Sequence, residues 1–333
     1  MNKIRTYRRT VIAAISLAVA AAMAATGCCN IPEEPKVLKE TCVFSVKGND
    51  TLRLDRYYSS GSTQVAEENT ASPIMIFAFG GGFKGGDRAY KGYLEYFRFL
   101  ATEGYTVVSI DYRTMLSRTD PSALSSPVGF VAALQSAIDT AVTDLYDATA
   151  YVIGKQREWN IDPERIAISG SSAGAITVLQ AEYNLCNGSS IATRLPEGFR
   201  YAGVVSFAGA ISSADSLHWD NPPCPIMLFH GNADNVVPFR NIHIPGLGGL
   251  WGSATIADGL DAAGAPYSFY TVDNAGHGIA SLPMTRNLHD IAGFLSRLVN
   301  GKEKLSIRNF ESTPGAATGE QGFSISDYLN SNR

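Results

Sequence analysis

The sequence predicts an α/β fold with a mostly parallel central sheet covered by helices on both faces. Three observations predict it. Apolar runs without alternation, such as Pro73-Ile74-Met75-Ile76-Phe77-Ala78-Phe79, suit strands covered on both sides. Such runs alternate with helix-length segments, the pattern of parallel strands joined by helical crossovers. At 45% hydrophobic residues, the chain can fill a core of that size.

The elements follow in order. Lys3, Arg5, Arg8 and Arg9 precede an alanine-rich apolar run over residues 11–25. That run is shorter than the roughly 20 residues of a membrane span and has the layout of an export signal. It ends in Ala25-Thr26-Gly27-Cys28, which resembles a bacterial lipobox. The resemblance implies removal of residues 1–27, lipidation of Cys28 and a place in the cell envelope. In a Gram-negative host, Asn30, second after Cys28, is no inner-membrane retention signal and favours the outer membrane, and Glu33 and Glu34 hint at surface exposure. Residues 28–40, with Pro32 and Pro35, read as a tether. Residues 41–46 and 52–58 alternate in character and predict an antiparallel hairpin; residues 59–72 read as a loop. Strands are expected at 73–79, 105–110, 165–169, 201–207, 225–229 and 267–272. Helices are expected at 90–103, 128–157, 173–184, 255–263 and 284–299, with Gly104 and Gly264 as stop signals. A catalytic domain thus spans 41–300. Residues 301–333 have lower apolar density and read as a poorly ordered or peripheral extension.

Export removes four basic residues and no acidic ones, taking the formal net charge from −4 to −8. Such a charge does not favour nucleic acid. The cysteines, Cys28, Cys29, Cys42, Cys186 and Cys224, have no zinc-site spacing. No metal or other cofactor is expected. Export permits disulfides, but the spacing gives no pairing.

Chemistry enters with Gly170-Ser171-Ser172-Ala173-Gly174, set between a strand and a helix. Gly-x-Ser-x-Gly in that place is a tight turn that lifts a serine hydroxyl over the end of a sheet. A serine hydroxyl is a poor nucleophile and needs a base, and the base needs an orienting carboxylate. In an open parallel sheet such groups gather at the carboxyl ends of the strands. There the chain has Gly80-Gly81-Gly82 after 73–79, His230-Gly231-Asn232-Ala233-Asp234 after 225–229, and Ala275-Gly276-His277-Gly278 after 267–272. Ser172, Asp234 and His277 are therefore the candidate nucleophile, acid and base. Ser171, Asp258, Asp261, Asp273, His218, His230, His243 and His289 are rivals with weaker positions. No Gly-Lys-Ser/Thr follows the glycine run, so it does not read as a nucleotide-phosphate loop.

These motifs, in the order Ser172, Asp234, His277, resemble the α/β-hydrolases. The nearest likeness is the bacterial carboxylesterase branch similar to hormone-sensitive lipase, which includes acetyl-xylan and feruloyl esterases. The resemblance spans residues 73–299. It implies an oxyanion hole from the backbone N–H groups of Gly81, Gly82 and Ala173. It also implies a serine esterase acting through an acyl-serine. One residue departs: the family has histidine where Phe79 stands, which questions how the glycine loop is anchored. Residues 239–251 are short and glycine-rich, so little or no cap domain is expected. An open cleft on a tethered, exported protein suits short acyl or phenolic esters, small or linked to polysaccharide. The alternatives are a peptidase of the prolyl-oligopeptidase type and an inactive hydrolase fold used for binding.

Overall fold

A computed structural model describes residues 36–60, 71–312 and 324. The export signal, Cys28, Cys29 and all but the end of the tether lie outside the described residues. So do 61–70 and most of 313–333.

Nine strands form one sheet: β1 (Val37–Lys47), β2 (Asp50–Ser59), β3 (Ser72–Ala78), β4 (Thr106–Ile110), β5 (Ile161–Ser171), β6 (Gly203–Phe207), β8 (Ile226–Gly231), β11 (Tyr267–Val272) and β12 (Ser306–Glu311). Their order is β1-β2-β4-β3-β5-β6-β8-β11-β12. β2 runs antiparallel to its neighbours β1 and β4, and from β4 onward all neighbours are parallel. Three short strands, β7 (Ala210–Ser213), β9 (Asn241–Ile244) and β10 (Gly248–Gly252), make a separate antiparallel sheet in the order β7-β10-β9. The main helices are α1 (Leu94–Thr102), α2 (Pro127–Gly154), α3 (Ala173–Cys186), α4 (Ser253–Ala262) and α5 (Leu288–Phe294).

Burial explains why the central runs lack alternation. Every residue of 74–78 is fully buried, as are Val107, Val108 and Ile110 on β4. An aromatic ladder then crosses β6, β8 and β11: Phe207 stacks on Phe229 at 5.5 Å between ring centres, and Phe229 on Tyr270 at 4.7 Å. Such contacts add about 1 kcal/mol each beyond their area. Among the helices, α2 starts cleanly because the Ser126 side chain accepts a hydrogen bond from Gly129 N–H and Pro127 occupies the first turn.

The helix expected at 284–299 is broken at Asn287, β7 was not expected, and three further differences bear on the fold. The tether ends earlier, because residues 37–40 already pair with 56–59 in β1–β2. The extension beginning at 301 contributes β12, which pairs with β11 along its whole length. It is an edge strand with mostly exposed residues, Phe310 among them, so the low apolar density that hid it is real. The glycine-rich stretch after 239 folds as the β9–β10 hairpin. Its glycines are steric: a Cβ on Gly249 would lie 2.1 Å from the Ile242 carbonyl oxygen on the neighbouring strand.

One buried carboxyl gives a stability prediction. Glu182 on α3 is fully buried, and burial pushes its carboxyl up, against the lowering effect of the Cys224 backbone N–H. A carboxyl raised in the folded state binds its proton more tightly there than in the unfolded chain, where it titrates near about 4.3. Its contribution is full below that pH and is lost as pH rises through the folded value. Glu182→Gln should therefore raise the melting temperature relative to wild type more at pH 8 than at pH 4, a comparison thermal unfolding provides.

Candidate active site

Strand β5 delivers Ser172 at its carboxyl end, and α3 starts at the next residue. Ser172 adopts φ 51° and ψ −116°, a conformation that L residues rarely take. The surroundings hold it there. Ser172 N–H donates to the Phe207 carbonyl at the end of β6 (2.9 Å), and its carbonyl accepts from Ile176 N–H in α3 (2.9 Å). The flanking glycines permit the close approach. A Cβ on Gly174 would sit 2.1 Å from the Ala78 carbonyl oxygen on β3.

Strand β8 delivers Asp234 and β11 delivers His277, so three strands meet at one end of the sheet. His277 Nε2 lies 2.8 Å from Ser172 Oγ, and His277 Nδ1 lies 2.8 Å from Asp234 Oδ2. The partners assign the tautomer: Nδ1–H donates to the carboxylate, and Nε2 accepts the serine proton. The Asp234 side chain is fully buried, while that of His277 is 23% exposed and so reaches solvent. The other oxygen of Asp234, Oδ1, accepts from the backbone N–H of Val236 (2.8 Å) and Val237 (3.1 Å). Burial pushes the Asp234 carboxyl up, but the hydrogen bonds and charges of His230 and His277 outweigh it. The carboxyl is held well below the usual carboxylate range.

The rivals are engaged elsewhere. Ser171 Oγ donates to the Ala280 carbonyl (2.7 Å). Asp273 accepts from Asn232 Nδ2 (2.7 Å). Asp258 and Asp261 pair with Arg308 on β12. His243 stacks on Trp251, His289 packs edge-on against Phe99, and His218 sits beside Asp220. His230 is different, since its Nε2 lies 3.2 Å from the Val237 carbonyl and 3.4 Å from Asp234 Oδ2. Its Nδ1 lies 2.8 Å from Ser253 Oγ. His230 therefore steadies the turn that carries Asp234 and also contacts the carboxylate itself.

The glycine run leaves the end of β3 beside this cluster. A Cβ on Gly80 would lie 3.2 Å from Ser172 Cβ. The backbone N–H groups of Gly81, Gly82 and Ala173 have no intramolecular acceptor among the described residues. Phe79 stands where histidine was expected, and aromatic packing anchors the loop in its place. The Phe79 ring stacks on Tyr112 with centres 4.3 Å apart, and Tyr112 Oη donates to the Phe79 carbonyl (2.7 Å). Gly80 N–H donates to Tyr93 Oη (3.2 Å). Arg88, at the far end of the loop, grips both carboxylate oxygens of Asp111 (2.9 and 3.0 Å). Arg113 in turn grips buried Asp144 of α2 (2.8 Å).

Asp111, Tyr112 and Arg113 belong to no motif that the sequence displays. Their one signal is three consecutive polar residues directly after the buried strand β4. No group of His, Cys, Asp or Glu among the described residues is arranged to hold a metal ion. An apolar cavity of about 520 Å³ lies between the start of α2 and the β7-β10-β9 sheet. Phe130, Leu134, Ile242, Leu247 and Leu250 line it, and none of Ser172, Asp234 or His277 does.

A mostly parallel sheet, a serine turn between β5 and α3, and acid and histidine after β8 and β11 define the α/β-hydrolase fold. The sequence model of the family described as BD-FAE matches residues 63–212. Over 112 residues the chain is 32% identical to the fumonisin B1 esterase of Sphingopyxis macrogoltabida, a match covering 31% of this chain and 18% of that protein. The chain thus spans less than a fifth of the curated relative it matches. Among solved structures it resembles a thermophilic esterase of Thermogutta terrifontis, Est2, with propionate bound: TM-score 0.57, 21% identity, 81% of this chain and 97% of the other. The apo form of that esterase gives a TM-score of 0.56 at 22% identity, over 80% of this chain and 97% of the other. Its cyclosarin-phosphonylated form gives 0.57 at 21%, over 80% and 96%.

Proposed function

We propose that this chain is a serine esterase that hydrolyses carboxylic esters through an acyl-Ser172 intermediate. The observation that carries the reading is the continuous hydrogen-bonded line from Asp234 through His277 to Ser172, beside three unpaired backbone donors. Ser172 Oγ attacks the ester carbonyl carbon while its proton passes to His277 Nε2. The carbonyl oxygen becomes an oxyanion, stabilised by the N–H groups of Gly81, Gly82 and Ala173. Each such donor contributes about 3 kcal/mol of transition-state stabilisation. Collapse breaks the bond to the leaving oxygen, which takes the proton from His277. Water then repeats the sequence on the acyl-serine and releases the acid. Asp234 holds the His277 ring in place and stabilises its charged form.

The similarity to a fumonisin B1 esterase and to an esterase that holds propionate supports ester hydrolysis. For this chain we favour short acyl or phenolic esters carried on carbohydrate. The motif resemblance to acetyl-xylan and feruloyl esterases supports that preference. The lipobox-like sequence supports a lipid anchor at Cys28 in the outer membrane.

Initial rates on nitrophenyl acetate, butyrate and octanoate, with acetylated xylan and methyl ferulate alongside, test the substrate class. Acetate release from xylan with little octanoate turnover supports a carbohydrate esterase. Preference for octanoate would overturn it. The glycine loop has its own test. Gly81 has φ 139°, and a Cβ there would lie 2.1 Å from the Gly85 carbonyl oxygen. Gly81→Ala should displace the loop and lower kcat by about 100-fold or more, the cost of one oxyanion donor. Steady-state kinetics should show a much smaller change in KM.

A further inference from the structure

The carboxyl end of α3 carries a second cluster of reactive groups, remote in chemistry from the ester site. Glu182 and Cys186 lie one turn apart on the helix, and both are fully buried. Cys186 Sγ donates to Glu182 Oε1 (3.4 Å), and Cys224 N–H donates to the same oxygen (2.8 Å). The Cys224 thiol also lies against this carboxylate. Glu182 Oε2 is buried and has no hydrogen-bond partner. Arg200 Nη1 approaches Cys186 Sγ at 3.6 Å.

The segment bearing Cys224 is held firmly over the helix end. Asn221 Nδ2 donates to the Cys186 carbonyl (2.9 Å), and Asp220 N–H donates to Asn187 Oδ1 (2.9 Å). Asn187 Nδ2 donates to the His218 carbonyl (3.2 Å). Two thiols from separate elements thus converge on one carboxylate, within a frame that keeps both segments in place. A buried carboxylate with an unsatisfied oxygen costs free energy unless something answers it. An oxygen that can receive a thiol proton is one such answer.

We infer that Cys186 and Cys224 are a redox pair that closes to a disulfide when the chain meets a small-molecule or protein disulfide. The Cys224 residue is partly exposed, although its thiol faces inward, and Cys186 is buried throughout, so the oxidant reaches Cys224 before Cys186. Cys224 gives its proton to Glu182 Oε2, and its sulfur attacks the oxidant to form a mixed disulfide, releasing one thiol. Cys186 Sγ then attacks Cys224 Sγ and displaces the second thiol. Two electrons pass from the cysteine pair to the oxidant, and the two cysteine protons end on the two released thiols. Burial and the neighbouring carboxylate keep both thiols protonated, so thiolate is scarce and exchange with the oxidant is slow. The bond would fasten the end of α3, the helix that follows Ser172, to the segment leading into β8, which carries Asp234 beyond it.

The test uses the wild-type chain incubated with glutathione disulfide. Remaining thiols are alkylated in denaturant and the peptides mapped without reduction. The expected result is one linked pair of peptides containing Cys186 and Cys224. The melting temperature should rise by roughly 5 °C, be reversed by dithiothreitol, and be unchanged in Cys224→Ser. Alkylation of both cysteines after oxidation would overturn the pairing. So would Cys224 retained as a glutathione adduct beside alkylated Cys186, or Cys224 linked to Cys42. The peptide map is read on wild type, so the outcome does not depend on a variant folding.

Discussion

Ser172→Ala should lower kcat by about 10⁶-fold while leaving the fold intact. That magnitude is the one seen when the nucleophile of a well-studied serine hydrolase is removed. Ser172 Oγ is the atom that His277 Nε2 faces at 2.8 Å, and no neighbouring hydroxyl can replace it. Ser171 Oγ is turned away and donates to the Ala280 carbonyl. The residual rate should be about 10³-fold above water, from binding and the unpaired donors alone. The backbone strain at Ser172 belongs to the turn, so alanine inherits it and the melting temperature should change little. A large loss of stability alongside the loss of rate would point to a structural role for the hydroxyl.

Asp234→Asn should give the second large effect, a loss of about 10⁴-fold in kcat. The substitution keeps the size of the side chain but changes what faces His277 Nδ1. An amide nitrogen there donates rather than accepts and favours the imidazole tautomer with its proton on Nε2. That tautomer cannot take the proton from Ser172. Two backbone N–H groups, from Val236 and Val237, fix Oδ1 of the wild-type carboxylate. The amide oxygen can keep those bonds, so the turn should survive. The pH dependence follows from the direction of the shift. A carboxyl held below its unfolded pKa contributes stability above about pH 4, which is lost as pH falls through the folded value. Wild type should therefore lose stability on acidification below pH 4 more steeply than Asp234→Asn. Acid unfolding of the two proteins gives the comparison.

The parts of the fold that the sequence made legible are those where one physical demand dominates. A strand covered on both faces must be apolar throughout, and 73–79, 105–110 and 267–272 all proved to be strands within a residue or two. Ser172, Asp234 and His277 could be proposed because each follows such a strand, and the structure brings the three side chains together. The elements that were missed lack that demand. β12 is an edge strand whose exposed residues carry no buried pattern. β9 and β10 are rich in glycine because another backbone passes close by, a reason invisible without the neighbour. Asp111, Tyr112 and Arg113 act through contacts with Arg88, Phe79 and Asp144, which lie 23 to 33 residues away in sequence. The same holds for His230, whose contact with Asp234 depends on how the turn closes.

The central claim is that an ester's acyl group is transferred to Ser172. Rapid acid quench of the wild-type protein with nitrophenyl acetate, followed by peptide mass mapping, tests it directly. The expected result is one acetyl group per chain on the Ser172 peptide, formed with a burst of nitrophenol and absent in Ser172→Ala. Serine-independent turnover, or an acetyl group mapped to another residue at the same rate, would contradict the account.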